Sequence, residues 1–241
     1  MKFLYIILFP LIIYSQNISV KYEYTSVSGK KLFYELMIQD NSSEFLRIKN
    51  QEINNSEHLE IIYDQNFFII KDIKNNSLIS TEFLGKKQII IKDSLDLMVW
   101  DLIENKKKKI IGFECEKAET YFRGRNYIAY YTPEINCLDG PWKFQGLPGL
   151  ILEINSEDGD YQYSAYEINK TPTKLFQKIA YSENNIHNWD SFKNIFIDYT
   201  DKLIKYLRSE DKRGDGNVNY YKIDKPEIIY KEAQIGNGIE F

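Results

Sequence analysis

The chain has 241 residues, 43% of them hydrophobic and 27% charged, with a formal net charge of −4. That is enough apolar side chain to close a core in one large domain, and too much for a disordered chain. An acidic chain with dispersed Lys and Arg offers no electrostatic footprint to nucleic acid.

Residues 1–16, MKFLYIILFPLIIYSQ, set Lys2 before an apolar run at 3–14, with the small Ser15 after it. This is the layout of a secretory signal peptide, too short to span a hydrocarbon core as a stable helix. No later run reaches 18 apolar residues. The sequence therefore predicts an exported protein of the periplasm or cell envelope of a Gram-negative bacterium, with no transmembrane helix after signal removal.

From Ile18 to about Tyr166, short runs rich in Ile, Val, Tyr, Phe and Thr alternate with polar breakers. The runs fall at 19–24, 31–38, 44–48, 59–63, 67–70, 78–83 and 88–91, and the breakers at 28–30, 39–43, 64–66, 74–76 and 85–87. Short strands at this spacing predict a mainly β fold. The expected architecture is a single large twisted antiparallel sheet, half-barrel-like and similar to lipoprotein-carrier folds, within a domain spanning 17–211. The run KKKK at 106–109 follows Asn105 and reads as a solvated hairpin tip, since like charges repel unless exposed.

The segments GFECEKAETYF and NYIAYYT flank Arg123-Gly124-Arg125, where Gly124 supplies the positive φ of a tight hairpin. Cys115 and Cys137 are the two cysteines of the chain. An even count in an exported chain predicts a disulfide across the base of this hairpin, with two buried free thiols as the alternative.

In DGPWKFQGLPGLILEI, Asp139-Gly140-Pro141 signals a turn, and Trp142 and Phe144 form one apolar face that pins the loop. Leu147-Pro148-Gly149-Leu150 has the residues of a type II turn, which requires a positive φ at Gly149; Gly146 permits a second unusual φ or a close approach of another backbone. Ile151 and its neighbours continue as a strand. No lysine and hydroxyl follow the second glycine, so this is not a phosphate-binding loop.

Trp189, Phe192, Phe196, Tyr199, Leu203 and Tyr206 recur at spacings of three and four, predicting a late amphipathic helix over 188–210 packed on the sheet. Asn188 is its expected N-cap and Gly214 its stop. Residues 212–241 read as a peripheral tail.

Chemistry-bearing motifs are scarce. His58 and His187 are the two histidines, without a G-x-S-x-G elbow or metal-ligand spacing around them. No catalytic residue, metal or cofactor is predicted. The 19 Tyr, 14 Phe and 3 Trp suit a groove for lipid, glycan or peptide. Arg123 and Arg125, as exposed tip residues, join Trp142 and Phe144 as the candidates for touching a ligand or partner.

The hexapeptide GLPGLI at 146–151 (Gly146, Leu147, Pro148, Gly149, Leu150, Ile151), with PWKFQ at 141–145, TPEI at 132–135, RGR at 123–125 and CEKA at 115–118, resembles the GLPGLI family of exported bacterial proteins. The resemblance covers about forty residues strongly. It implies an envelope or periplasmic protein of unestablished activity and brings no catalytic residues. The expectation is a non-enzymatic protein that binds an unknown envelope protein, lipid or glycan. An outer-membrane β-barrel and a carboxylate-dependent hydrolase are the alternatives.

Overall fold

In the computed structural model, the described residues are 17–26, 29–53, 59–95, 98–170, 172, 179, 181, 185–211 and 227. The predicted leader and nearly all of the predicted tail lie outside them, as do His58 and Gly214. In chain order the elements are β1 Ile18–Ser26, β2 Lys31–Gln39, β3 Ser42–Ile53, β4 Leu59–Asp72, β5 Ser77–Leu84, β6 Lys87–Ser94, β7 Asp101–Ile110, β8 Phe113–Phe122, β9 Arg125–Thr132, β10 Leu150–Ser156, β11 Tyr161–Asn169, β12 Ile186–Asn188 and α1 Trp189–Asp211. The strands form one open sheet in the order β12-β6-β5-β4-β3-β2-β1-β11-β10-β9-β8-β7. Every pairing is antiparallel except β12 on β6. The expected fold class, one large sheet with a single late helix, is the observed one. The order ends at β12 and β7 without closing, so the fold is not the closed barrel of the membrane alternative.

Side chains alternate across a strand, so each register row defines a face. Val20, Leu36, Phe45, Ile69, Ser80 and Ile91 form one such row through β1, β2, β3, β4, β5 and β6, and all are buried. Two different pieces of chain cover this face. Phe192 and Phe196 of α1 pack on Leu84, Ile89 and Ile91 of β5 and β6. Full burial of each ring contributes about 1.5–3 kcal/mol. Over the middle of the sheet the cover is the loop between β9 and β10, whose Trp142, Phe144 and Leu147 join the cluster of Val20, Leu36, Phe45 and Ile69. The opposite face carries a separate cluster, Met37, Leu46, Tyr63, Phe68 and Ile90.

The helix starts as its sequence predicts: Asn188 Oδ1 accepts from the Ser191 N–H at 2.8 Å, satisfying an otherwise orphaned first-turn donor. The apolar stripe is deepest at Phe192 and Phe196, while Tyr206 near its end is 60% exposed. The hairpin between β8 and β9 also follows the reading, with Arg123 and Gly124 both at positive φ (44° and 92°) between the paired Phe122 and Arg125.

Two local expectations are corrected. The runs at 59–63 and 67–70 are one strand, β4, because the polar residues 64–66 stay extended; the register irregularities of the β3–β4 pair sit at Leu46, Ile48 and Asn50. Residues 106–109 are not a hairpin tip. They lie within β7 at the end of the sheet, and the turn follows at Ile111 and Gly112. An edge strand solvates its lysines as well as a tip does, so charge alone could not separate the two.

Candidate functional site

The loop over the sheet is held by a lysine that no motif announced. Lys71, on the inward face of β4, donates from Nζ to Asp139 Oδ1 at 2.5 Å, to Gly140 O at 2.8 Å and to Phe144 O at 3.1 Å. Its side chain is 1% exposed and that of Asp139 0%. Three acceptors around one ammonium offset much of the desolvation that makes a buried charge costly. Asp139 Oδ1 also accepts from Gly140 N, whereas Oδ2 has no hydrogen-bond partner among the described residues. Tyr22, from β1, donates to Ile151 O at 2.6 Å. Burial foremost, with the Asp139 charge nearby, raises its phenol well above the ordinary range.

Within the loop, Gly146 N donates to Leu138 O and Ile151 N to Asp139 O, and Trp142 takes a positive φ of 51°. Trp142 and Phe144 stand 5.1 Å apart between ring centroids and pack on Phe122, with Tyr127 4.8 Å from Phe144. Trp100 Nε1 donates to Gln145 O at 2.9 Å. The two aromatics are thus buried pins of the loop.

The hexapeptide is shaped differently from the expected type II turn. Gly146 does take a positive φ, 93°, but Gly149 does not, and Gly149 N donates to Leu147 O at 2.7 Å across Pro148. That is a three-residue turn, for which proline's fixed φ is suited. Glycine is required at 149 for space instead: a Cβ there would lie 2.3 Å from Thr132 O. Because Leu150 pairs with Thr132, the register of β10 on β9 sets that approach.

The disulfide is also corrected: Cys115 and Cys137 are both free. Cys115 pairs with Lys108 on β7, and its neighbour Glu116 pairs with Tyr131 on β9. The thiols feel different surroundings, Cys115 those of Glu134, Glu153 and Glu114, and Cys137 those of Asp139 and Lys71. Burial pushes Cys115 up to about 11 and Cys137 up to about 12.

Neither tip arginine is exposed, contrary to expectation. Arg123, 11% exposed, pairs with Asp93 of β6 and with Glu227, and its guanidinium lies 3.4 Å from the ring centroid of Trp189 at the start of α1. Lys143 joins the same cluster through Glu227 at 3.0 Å and Glu82 at 3.4 Å. Arg125 is 4% exposed, pairs with Asp158 and Asp160 and covers Tyr161. Arginine is favoured at such places because its planar fork both stacks and binds carboxylates bidentately.

An open feature lies on the other face of the sheet. A cavity of about 410 Å³ is lined by Gln65, Asn66 and Phe68 of β4, Gln88 and Ile90 of β6, and Tyr181 and Asn185 from the approach to β12. Phe68 and Tyr181 stand 5.8 Å apart with planes inclined by 30°. Gln88 Nε2 donates to Asn66 O at 2.7 Å, which ties the two strands across the cleft. Four carboxamides therefore surround an apolar floor. Sequence reading passed over them, since the polar residues at 64–66 looked like a strand break.

The family model for the N-glycanase peptide, N-terminal domain, matches residues 35–194. The chain belongs to this family. Two solved structures of PNGF-II, in different crystal forms, share the fold. One has a TM-score of 0.54 at 19% identity over 77% of this chain and 33% of that one; the other has 0.52 at 16% over 77% and 34%. The chain thus spans about a third of PNGF-II. A LolA superfamily protein from Nitrosomonas europaea reaches a TM-score of only 0.26 at 11% identity, over 68% of this chain and 90% of that one, which carries no argument for a lipoprotein carrier. No curated protein matches the sequence.

This corrects the resemblance to the GLPGLI family. The hexapeptide at 146–151 lies inside the span matched by the N-glycanase peptide, N-terminal domain, so the motif is a feature of a chain in that family. The expectation of a GLPGLI-family protein of unestablished activity falls with it, whereas a glycan, one of the expected ligands, is compatible with the matched domain. The matched span contains the whole pinned loop and every residue named as lining the cleft, and omits β1 and Glu227.

Proposed function

We propose that the chain serves N-glycan processing, as the glycan-recognising part of an N-glycanase-like activity. The family match over residues 35–194 carries this reading. The match is to an N-terminal domain, and the chain spans a third of PNGF-II. We therefore assign recognition to this chain and bond cleavage to other parts of such a system. The ring of Tyr181 and the exposed carboxamide side chains around it supply the chemistry that recognition of a glycan needs: an apolar face and paired donors and acceptors. We place the activity outside the cytoplasm because residues 1–16 read as an export leader.

The test compares one glycoprotein before and after its N-linked glycans are removed, each immobilised and exposed to the purified chain. The expected result is binding about tenfold tighter to the glycosylated form, the equivalent of ~1.4 kcal/mol. Released glycan is followed in parallel by mass spectrometry. Equal affinity for both forms, with no glycan released, overturns the proposal.

A further inference from the structure

We infer that the cleft between β4, β6 and the approach to β12 is a subsite for a neutral sugar ring. The inference rests on the glycan reading above and deepens it by naming the place and the chemical class.

A pyranose has two kinds of surface. Its C–H faces are apolar and stack on aromatic rings; its hydroxyls lie around the rim, each both donor and acceptor. The cleft matches both. Tyr181, half-buried, presents its ring at the floor of the cleft and is backed by the buried Phe68, 5.8 Å away, beside Ile90. Gln65, Asn66, Gln88 and Asn185 surround that floor, and a carboxamide, like a hydroxyl, donates and accepts at once. Gln88 is already oriented by its bond to Asn66 O and keeps Oε1 as an acceptor.

Charge narrows the class. The described lining residues are all uncharged, so a carboxylate or phosphate entering the cleft would lose water without gaining a cation. That disfavours acidic sugars and nucleotides, and leaves neutral hexoses and N-acetylhexosamines. The volume, about 410 Å³, falls in the range of roughly 300–1,000 Å³ usual for small-molecule sites. Glutamine and asparagine on strand surfaces are common, and alone would mean little. Here they come from three separate stretches of chain and converge around one half-buried tyrosine, Tyr181.

The experiment uses the full chain and an N-acetylglucosamine disaccharide, with a mannose disaccharide as a second neutral probe and glucuronic acid as the charged control. Binding is read by saturation-transfer NMR and calorimetry. The expected result is binding of at least one neutral disaccharide and none of glucuronic acid. Gln88→Ala and Asn185→Ala should each weaken it about 5- to 10-fold, as for loss of one hydrogen bond. Both side chains are exposed, so unchanged thermal unfolding serves as the folding control. Neutral binding that neither substitution alters, or glucuronic acid binding as tightly, overturns the assignment. No neutral binding, with selectivity for the glycosylated protein intact, overturns the subsite and leaves the glycan reading standing. Loss of both sinks the glycan reading itself.

Discussion

Lys71 and Asp139, 68 residues apart in sequence, form an ion pair within the core, and through it β4 holds the loop that enters β10. Removing one partner strands the other charge away from water, which costs about 3–5 kcal/mol. Lys71→Met should therefore lower the melting temperature by roughly 6–20 °C for a chain of this size. Adding Asp139→Asn to Lys71→Met should recover a good part of the loss. Calorimetry of the two variants checks this; equal destabilisation would show that packing volume, and not charge, governs the site.

The two glycines of the hexapeptide should respond differently to alanine. At Gly149 the new methyl meets the Thr132 carbonyl, a rigid backbone neighbour, so Gly149→Ala should cost about 1–3 kcal/mol or more through forced displacement. At Gly146 the nearest atom to a Cβ is Trp100 Nε1 at 3.9 Å, and the penalty is the positive φ alone, about 1–2 kcal/mol. Urea unfolding should rank Gly149→Ala as the worse. The reverse order would show that the chain yields at Thr132 and that space does not hold glycine at 149.

The two thiols, Cys115 buried and Cys137 half-buried, make stability depend on alkaline pH. Their folded values, about 11 for Cys115 and about 12 for Cys137, lie above the ordinary value of 9.0. The folded state thus holds these protons more firmly than the unfolded state. That contribution is fully present below pH 9 and is lost as pH rises toward 11 and 12. Tyr131, raised to about 12 by burial and its bond to Glu116, adds to the same decline. Denaturant midpoints measured from pH 8 to 11 should fall, and less steeply in Cys137→Ala. Without reduction, alkylation at pH 8 should be slow in the native protein and modify both cysteines once it is unfolded.

Arg123 draws the β8–β9 hairpin, β6, Glu227 and the first turn of α1 to one point. Arg123→Ala should cost about 3 kcal/mol, since Asp93 is left partly buried without this partner. Arg123→Lys should recover little, because an ammonium neither lies flat on Trp189 nor spans two carboxylates. Trp189 fluorescence should shift in both variants. Full recovery by lysine would reduce the role to net charge.

What was legible in the sequence follows from how local each determinant is. The hairpin at Arg123-Gly124 and the cap at Asn188 depend on a few adjacent residues, and the stripe through Phe192 and Phe196 is a simple period. Lys71 gave no such signal, because its partner is 68 residues away and most lysines are solvated. The role of Gly149 was assigned to torsion because the approach of Thr132 exists only once β10 has paired with β9. The cleft was hidden for the same reason: Asn66, Gln88 and Asn185 meet only through the order of β4, β5 and β6 and the return of the chain to β12.

The four lysines at 106–109 have a further consequence because β7 ends the sheet. Its outer rim has backbone groups on which a second molecule could add a strand. An incoming copy presenting its own β7 would bring four more lysines, two on each face, beside the first four, of which Lys107 and Lys108 pair with Glu116 and Glu153. Stacking of sheets end to end is thereby resisted at that rim by a strand whose Lys108 also reaches Glu153 of β10 and the ring of Tyr130, so colloidal behaviour and the seating of β7 on its neighbours depend partly on one side chain.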